Sequence, residues 1–576
     1  MKKTFDYLPL VQALELIVKR TMNLKLKRED PFGEKVAHSI SDIRISFLSN
    51  ISYEVSYLNG IARVIDREID TPEILITVCI EKKTKIFRHV DVFQDLYLKS
   101  YEGILSVLWC EVTNIIDALF DKFYTSKTKC NKYHVEEKAP PIYMDDSAFQ
   151  LAEIEYPSKE IQTEFSELLQ DFFLVPHVDS VSGCLYSKRK VWIVVDSSKN
   201  RIIQHQDFVE GRAHGYLFNS KKREYDVSCS QMALNFGILK NYFKDIRNEL
   251  QKALYSTNRS QLESGIYPYL FMPSAMATLC HEALAGHMLS GYYIANETST
   301  IFKGKLGKNI AKNGFMKALK NLEIWDCPRD KTMVAHYEYD MQGTPAKDVC
   351  LLKNGVIENY LLDKNSSARL HKENNGHSLA GSFVKEQDEN SDVFEKIIPR
   401  PKKPEPRVSN LKVYSTSTHS LDDLKKQLLE KFGYYYIVES HAGEVNIETG
   451  TFELTVDYLI KVNKNGNKSY FHGGILSANL TDFLSSIIEV SNHYGRTNGY
   501  CGAESGWVPT EEFAPAVSVY GINWAPNPLP EPLHTYSSKR DKYLPEKLRT
   551  KKTSFEYWIN MRIVDFTILI FLTINI

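Results

Sequence analysis

This sequence lacks the cysteine patterns that stabilise small secreted domains or bind zinc through four thiolates. Its 9 cysteines are scattered over 576 residues without a Cys-x-x-Cys pair. This spacing excludes a dense disulfide framework and a four-cysteine zinc module. Widely spaced cysteines in odd number are typical of reduced thiols, so we expect a cytoplasmic protein.

An excess of charge of either sign is also lacking. The chain has 71 Lys and Arg residues against 72 Asp and Glu residues, for a formal net charge of -1 at pH 7. Such a balance gives neither the basic footprint of a nucleic-acid-binding protein nor an acidic tail. We therefore expect no nucleic-acid partner, and the 43% hydrophobic content is ordinary for a globular chain.

No apolar run is long enough to cross a membrane. Residues 1–7 include two lysines, but Asp6, Glu15 and Lys19 interrupt any apolar segment, so we expect no secretory signal. Residues 566–576 are mostly apolar, whereas a bilayer span needs about 20 residues. This tail fits a buried strand, a weak membrane contact or an altered reading frame, and we expect no membrane partner.

The first half of the chain has the pattern of mixed helix and strand. Apolar residues recur at helical spacing over residues 8–24, while β-formers are concentrated in residues 42–48 and 52–58. Residues 191–196 and 201–208 flank a Ser-Ser-Lys-Asn turn, which predicts a hairpin. An N-terminal α/β domain follows from this mixture.

The second half is richer in strand signals. Residues 334–339 are predicted as a strand, residues 349–353 and 356–362 as a hairpin around Asn-Gly, and residues 480–490 as a helix. We predict an α+β fold whose C-terminal antiparallel β-rich domain wraps a metal-bearing helix. The predicted units are an N-terminal domain at 1–255, a C-terminal domain at 256–545 and an extension with the apolar tail at 546–576.

Four residues have the chemistry of a hydrolytic zinc site. His281, Glu282 and His287 are close together on a predicted helix that has Ser274 as its N-cap, and a glycine-flanked Cys501 follows much later, on a predicted loop. Two imidazoles and a thiolate are three zinc ligands that leave a position open for water, and a neighbouring carboxylate supplies a base. The residue types therefore predict a metallopeptidase.

The spacing of the two histidines does not suit a regular helix. Histidines four residues apart share a face, because they differ by about 40°, but His281 and His287 are six apart and differ by roughly 240°. A one-residue bulge, or a helix that ends near Gly286, would turn His287 back toward His281. With 16 histidines in the chain, a chance cluster on a solvated helix face is the alternative.

Several separated short motifs occur along the chain in a characteristic order. They are Met272-Pro273-Ser274 before His281-Glu282-Ala283, Ile301-Phe302-Lys303-Gly304-Lys305-Leu306-Gly307, Asp340 with Gly343-Thr344-Pro345-Ala346, Lys353-Asn354-Gly355-Val356, Arg407-Val408-Ser409-Asn410-Leu411, and Asn498-Gly499-Tyr500-Cys501-Gly502-Ala503-Glu504-Ser505-Gly506. In these motifs the chain from about 150 to 520 resembles the TldD/PmbA family of metallopeptidases.

The resemblance implies roles for the four site residues. His281 and His287 would be the imidazole ligands and Cys501 the thiolate ligand of one Zn²⁺ per chain, with Glu282 as the catalytic base. It also implies an unfolded or extended peptide as substrate in an enclosed cleft. The implied assembly is a homodimer or a heterodimer with a PmbA-like subunit. This chain has four residues between Glu282 and His287, where the family usually has three.

Two functions are therefore compared below. The prediction is a zinc-dependent peptidase. The alternative is a non-catalytic peptide-binding or scaffold subunit of a TldD/PmbA-type complex, with a degenerate metal site caused by the additional residue. About one zinc per purified chain would favour the enzyme, and no zinc would favour the scaffold.

Overall fold

A computed structural model describes residues 5–24, 26–29, 35–63, 69–70, 73–82, 85–94, 101–125, 140–174, 178–218, 224–256, 260–299, 301–310, 320–381, 403–440 and 442–528. Within these ranges the first half of the chain contains strands β1 to β11 and helices α1 to α4. The strands are β1 (Phe5–Asp6), β2 (Leu26–Glu29), β3 (Lys35–Leu58), β4 (Ile61–Arg63), β5 (Ile69–Asp70), β6 (Glu73–Lys82), β7 (Lys85–Gln94), β8 (Gln150–Leu151), β9 (Val178–Asp196), β10 (Arg201–Phe218) and β11 (Glu224–Ala233). The helices are α1 (Leu8–Met22), α2 (Tyr101–Thr125), α3 (Lys159–Asp171) and α4 (Phe236–Ser256).

The first sheet has the antiparallel order β11-β10-β9-β3-β6-β7, with β2, β4 and β5 paired to β3. The predicted hairpin around residues 197–200 is confirmed as β9 and β10. The two strands predicted at 42–48 and 52–58 are instead one strand, because β3 pairs with β9 without interruption through Ser49 and Ile51.

Helix α1, predicted from its apolar spacing, covers one face of this sheet. Its residues Leu10, Leu14 and Ile17 are buried in one cluster with Ile45 and Phe47 of β3. Burial of such side chains contributes roughly 1.5–3 kcal/mol each. Helices α3 and α4 form a second buried cluster with β9 and β10. The first half is therefore a sheet with helices packed on it, as the sequence predicts.

In the second half, the strands are β12 (Gly265–Phe271), β13 (Leu322–Asp326), β14 (Val349–Lys353), β15 (Val356–Ile357), β16 (Ser378–Leu379), β17 (Glu405–Pro406), β18 (Asn410–Ser415), β19 (Tyr434–Val438), β20 (Ala442–Asn446), β21 (Thr451–Asn463), β22 (Lys468–Asn479), β23 (Ile487–Ala503) and β24 (Gly506–Pro526). The helices are α5 (Pro273–Leu279), a π-helix (Cys280–Gly286), α6 (Gly291–Ala295), α7 (Lys364–Leu370), α8 (Leu421–Phe432) and α9 (Leu480–Ser486).

The second sheet contains a closed ring of strand pairings. Its order runs β12-β19-β21-β22-β24-β18-β13-β14-β15, and β12 pairs with β24 as well, so β12, β19, β21, β22 and β24 close on themselves. Most pairs are antiparallel as predicted, but β12 with β19 and β18 with β24 are parallel. Helix α5 packs against β23 and β24. That this domain wraps a metal-bearing helix stays a prediction.

The prediction of a strand at residues 334–339 is wrong. The backbone N–H of Val334 donates to the Glu511 carboxylate over 2.8 Å, and the N–H of Ala335 donates to the Asn410 side chain over 3.2 Å. Side chains thus take the hydrogen bonds that a neighbouring strand would make, and only an isolated bridge joins Tyr339 to Pro345. Most apolar residues of this segment are buried, but the segment is not a strand of a sheet.

The helix predicted at residues 480–490 is correct only in its first part. Helix α9 ends at Ser486, and the chain continues as β23, which pairs with β24. The β-branched residues Ile487, Ile488 and Val490 favour a strand at this point. The predicted hairpin around Asn354-Gly355 is confirmed at its turn, where both residues have the positive φ angles, 51° and 80°, of a tight hairpin turn. Its second strand, predicted at 356–362, is only β15 (Val356–Ile357).

A buried cluster joins the two sheets. Trp192 of β9 lies edge-on to Tyr337 with ring centroids 6.1 Å apart, and its indole N–H donates to the Tyr339 carbonyl over 3.0 Å. Cys501 and Val508 of the second sheet belong to the same cluster. The first sheet therefore supports the strand that carries the candidate thiolate ligand.

The predictions on the membrane span, the C-terminal extension and the domain boundary have different outcomes. None of the helices in the described ranges is long and apolar enough to cross a membrane. The extension at 546–576, including the apolar tail, lies outside the described residues. The boundary near residue 256 coincides with the end of α4 and stays a prediction.

Candidate metal centre

The helix that leads to the histidines begins two residues earlier than predicted. Pro273 occupies the first helical position, so Met272 is the N-cap and Ser274 is already inside α5. Proline is favoured at this position because its fixed φ suits a helix and no N–H is needed there. After Leu279 the backbone changes to a π-helix over Cys280–Gly286.

The predicted bulge is therefore present as a π-helix that ends at Gly286. Just after it, the N–H of Leu289 donates to the carbonyl of Leu284, five residues back, over 3.0 Å. A Cβ atom on Gly286 would lie 2.7 Å from the backbone oxygen of His281. Only glycine allows this close approach, so the additional residue between Glu282 and His287 is absorbed by local backbone geometry.

His281 is buried with one ring nitrogen paired and the other unpaired. Its Nδ1 lies 2.8 Å from Oε1 of Glu512 on β24, whereas its Nε2 is buried without a hydrogen-bond partner. Burial opposes protonation, but Cys501 and Glu512 together raise the pKa of His281 well above its usual value. A carboxylate on one nitrogen fixes the ring and its tautomer and leaves the other nitrogen for a ligand.

His287 and Glu282 contact each other across the end of the π-helix. Nε2 of His287 lies 3.2 Å from Oε2 of Glu282, while Nδ1 of His287 is buried without a partner. Burial opposes ionisation of Glu282, but the hydrogen bond from His287 and the nearby His281 lower its pKa. Glu282 also lies beside β20, where a Cβ atom on Gly443 would be 3.4 Å from its Cγ.

Cys501 lies in β23 near the tip of the β23–β24 hairpin, opposite Val508, rather than on the predicted loop. The thiol is buried. Burial raises its pKa, but the charges of Arg407, His281 and His287 outweigh this and lower the pKa of Cys501 to about 6. Cys280, which precedes His281 in the chain, is buried, and burial raises its pKa to about 12. Of these two thiols, Cys501 is the one suited to act as a thiolate.

Sequence reasoning did not assign functional roles to Glu512 and Arg407. Glu512 contacts His281, which lies 231 residues earlier in the chain. Arg407 contacts the carbonyl of Cys501, which lies 94 residues later. The available signals were a charged residue within an apolar strand and an arginine in a resemblance motif. Neither signal identifies a contact, because only the fold brings these residues to the histidines and the cysteine.

Comparisons with known proteins point to one family. Residues 264–525 match the family model described as the PmbA/TldA metallopeptidase C-terminal domain. A zinc metalloprotease TldD homolog of Saccharolobus solfataricus is 24% identical over 287 residues, which are 49% of this chain and 55% of that protein. A metalloprotease of Methanocaldococcus jannaschii is 20% identical over 396 residues, 63% of this chain and 80% of that protein. These comparisons support the TldD/PmbA family for residues 264–525 of this chain.

The structural comparison agrees with this TldD/PmbA assignment at the level of the fold. TldE from Thermococcus kodakarensis superposes with a TM-score of 0.56 at 13% identity, covering 84% of this chain and 97% of that chain. At such identity the likeness shows the fold alone. The chain spans about half the length of the Saccharolobus relative, so the activity of that whole protein is not transferred by the alignment.

The donor atoms of this chain suit a zinc ion in their chemistry. Buried and unpaired nitrogens of His281 and His287 and a thiol with a lowered pKa are the donors that zinc prefers. In the part of the chain that the structure describes, no group of three His, Cys, Asp or Glu side chains already converges as a metal site. The structure brings His281 to Cys501 and His287 to Glu282, as two adjacent pairs.

Proposed function

We propose that this chain is a zinc-dependent peptidase that hydrolyses peptide bonds of unfolded or extended peptides in an enclosed cleft. The observation that carries the proposal is the pair of buried, unpaired imidazole nitrogens on His281 and His287, close to the acidified thiol of Cys501. Buried polar atoms without a partner are costly, which favours a ligand that satisfies them. The metalloprotease relatives support the same activity.

Three residues of this chain would hold the zinc ion, one ion per chain. They are His281 through Nε2, His287 through its free Nδ1, and Cys501 through its sulfur. Zinc bound there would supply a Lewis acid for the peptide carbonyl and would lower the pKa of water. Glu512 would hold the His281 ring in orientation through Nδ1, as carboxylates do for zinc-bound histidines.

Glu282 would move the proton in the reaction. Its lowered pKa keeps the carboxylate ionised and ready to accept a proton from the attacking water. The same carboxyl would then donate that proton to the leaving nitrogen of the cleaved peptide. In the structure Oε2 of Glu282 contacts Nε2 of His287, which leaves Nδ1 of His287 for the metal and Oε1 of Glu282 for the water.

The substrate would bind as an added strand. Strand β20 pairs with β21, and its other edge has no partner strand among the described residues. Because Glu282 lies beside Gly443 of β20, an extended peptide on that edge would pass the proposed base. Backbone hydrogen bonds would give affinity with little dependence on the side chains of the substrate.

Assembly and location are part of the same proposal. We propose a homodimer, or a heterodimer with a PmbA-like subunit, in the cytoplasm. The described cysteines are free, in agreement with reduced thiols. Sedimentation of the purified chain, alone and with a PmbA-like chain, tests the assembly.

A single substitution tests the catalytic role. Glu282→Gln removes the base and keeps the volume, so we expect normal zinc content and a loss of peptide cleavage of at least about 100-fold. Cleavage of an unstructured fluorogenic peptide and zinc content by mass spectrometry are measured on the same preparation. The matched control is Glu448→Gln, because Glu448 is exposed in the turn after β20. This variant should keep both normal zinc content and normal peptide cleavage. Normal cleavage by Glu282→Gln would rule out this role.

One observation favours the second candidate, a non-catalytic peptide-binding or scaffold subunit. His287 already contacts Glu282, and the described residues hold no three converging ligands. In that case the additional residue between Glu282 and His287 keeps the His281–Cys501 pair apart from the His287–Glu282 pair, and no metal site forms. Zinc analysis of the purified wild-type chain decides between the two, since the scaffold would retain no zinc while binding peptide.

A further inference from the structure

Arg407 is a buried cation that binds the hairpin around Cys501. Its side chain is 2% exposed. The guanidinium donates to the carbonyl of Cys501 over 2.5 Å, to Oγ of Ser505 over 2.7 Å and to the carbonyl of Gly506 over 2.7 Å. These three acceptors lie on both strands of the hairpin and in its turn, so one side chain fixes the whole tip.

The charge of Arg407 is not balanced by an ordinary ion pair. Among the described residues no carboxylate lies within salt-bridge distance of its guanidinium, and its three acceptors are neutral oxygens. A buried charge without an oppositely charged partner is destabilising. The nearby groups that can carry negative charge are the Cys501 thiol and Glu282, both of which are affected electrostatically by Arg407. The arginine therefore belongs to the electrostatics of the site.

The backbone at the tip of the β23–β24 hairpin is closely packed, so the turn has little room to move. The N–H of Gly381 donates to the carbonyl of Ser505 over 2.6 Å, and a Cβ atom on Gly506 would lie 2.8 Å from the Gly381 oxygen. The turn is thus held from one side by Gly381 and from the other by Arg407. A shift of the turn would move Cys501, because it lies only a few residues before the turn in the same strand.

We propose that Arg407 is the positioning residue for Cys501: by binding both strands of the β23–β24 hairpin it aims the sulfur at the cation held by His281. The inference rests on the proposed function, since it assigns a further residue to that same site. It is distinct from a purely structural role, in which Arg407 would stabilise the fold without affecting how sulfur binds a metal.

Cobalt and zinc titrations of the full-length chain test the proposal. Co²⁺ bound to a thiolate gives a sulfur-to-metal charge-transfer absorption, and chelator competition gives the Zn²⁺ dissociation constant. For Arg407→Met and Arg407→Lys we expect a weakened charge-transfer band and a Zn²⁺ dissociation constant raised about 10–100-fold. Lysine keeps the charge, but its three N–H donors are on one nitrogen and cannot reach acceptors on both strands and in the turn as a planar guanidinium does, so it should not restore binding.

The control variant is Arg201→Met. Arg201 is also buried, at 3% exposure, but its ion-pair partners are Glu15 and Asp146, away from the site. It should lower stability while leaving the cobalt spectrum and zinc affinity unchanged. If Arg407→Met does not fold, Ser505→Ala removes one acceptor and should weaken zinc binding by a smaller factor.

The outcomes separate the two proposals. Wild-type protein that binds neither Co²⁺ nor Zn²⁺ would overturn the proposed function and the inference with it. Wild-type protein that binds both metals, together with Arg407→Lys and Arg407→Met variants of unchanged spectrum and affinity, would overturn only the role of Arg407.

Discussion

At the scale of the residue, two cysteines with opposite environments lie beside one histidine. Cys280 precedes His281 in the chain and has a pKa raised to about 12 by burial. Cys501 is distant in sequence, but the cations around it lower its pKa to about 6. Proximity in sequence is therefore a poor guide to which thiol serves the site, and charge in the folded chain is the better one.

This contrast gives a paired prediction. Cys501→Ser should lower zinc content well below one ion per chain, because a hydroxyl is a much weaker zinc ligand than a thiolate. Cys280→Ser is the matched control, since it changes a buried thiol next to His281 that we assign no ligand role. Elemental analysis after dialysis measures both variants. Equal zinc in Cys501→Ser and the wild-type chain would contradict the ligand assignment.

At the scale of the element, a π-helix replaces the regular helix between the two histidines. A regular helix would place His281 and His287 on different faces, whereas the structure changes to a π-helix between Cys280 and Gly286 and ends there. The Gly286 position is crowded by the His281 backbone at 2.7 Å. The glycine and the spacing are thus parts of one local arrangement.

We predict that Gly286→Ala is destabilising and displaces His281. Its Cβ would press on the His281 backbone oxygen, and overpacking of this kind costs about 1–3 kcal/mol. Chemical denaturation measures the stability, and zinc titration measures the site. Gly499→Ala is the control, because a Cβ there meets no atom within 4 Å. Equal losses in the two variants would show that the close approach at Gly286 is unimportant.

The sequence was informative where an element depends on local chemistry. Helix α1, the β9–β10 hairpin and the Asn354-Gly355 turn follow from periodicity and turn residues. The bulge between His281 and His287 was predictable from the spacing and Gly286. Contacts between distant residues were not, because the His281–Glu512 pair exists only after β24 passes the π-helix.

The same limit explains why the strand predicted at residues 334–339 is not formed. Its apolar alternation is real, but Glu511 and Asn410 take the backbone donors of Val334 and Ala335. Periodicity reports which side chains are buried. It does not report what accepts the backbone hydrogen bonds, and that choice is made by tertiary structure.

At the scale of the whole molecule, one buried cluster joins the first sheet to the half of the chain that contains the candidate site. Trp192 is fully buried and contacts Tyr337 and the Tyr339 carbonyl, and Cys501 belongs to that cluster. The N-terminal half therefore contributes to the site without supplying a ligand. Loss of this packing should affect both stability and the position of the hairpin that carries Cys501.

We predict that Trp192→Ala lowers the free energy of unfolding by about 3–5 kcal/mol, the usual cost of removing a large buried aromatic side chain. Circular dichroism during denaturation measures this change. Trp507→Ala is the matched control, because Trp507 is 55% exposed, and it should cost less than about 1 kcal/mol. A similar small effect of both substitutions would mean that the cluster does not hold the two sheets together.

The central claim is that His281, His287 and Cys501 bind one zinc ion, and a crystal of the zinc-loaded chain tests it most directly. Anomalous diffraction at the zinc absorption edge locates the ion independently of the protein density. We predict one peak per chain with a nitrogen of each histidine and the Cys501 sulfur at roughly 2.0–2.3 Å. The absence of a peak between these three side chains, or a zinc ion bound elsewhere in the chain, would contradict the claim.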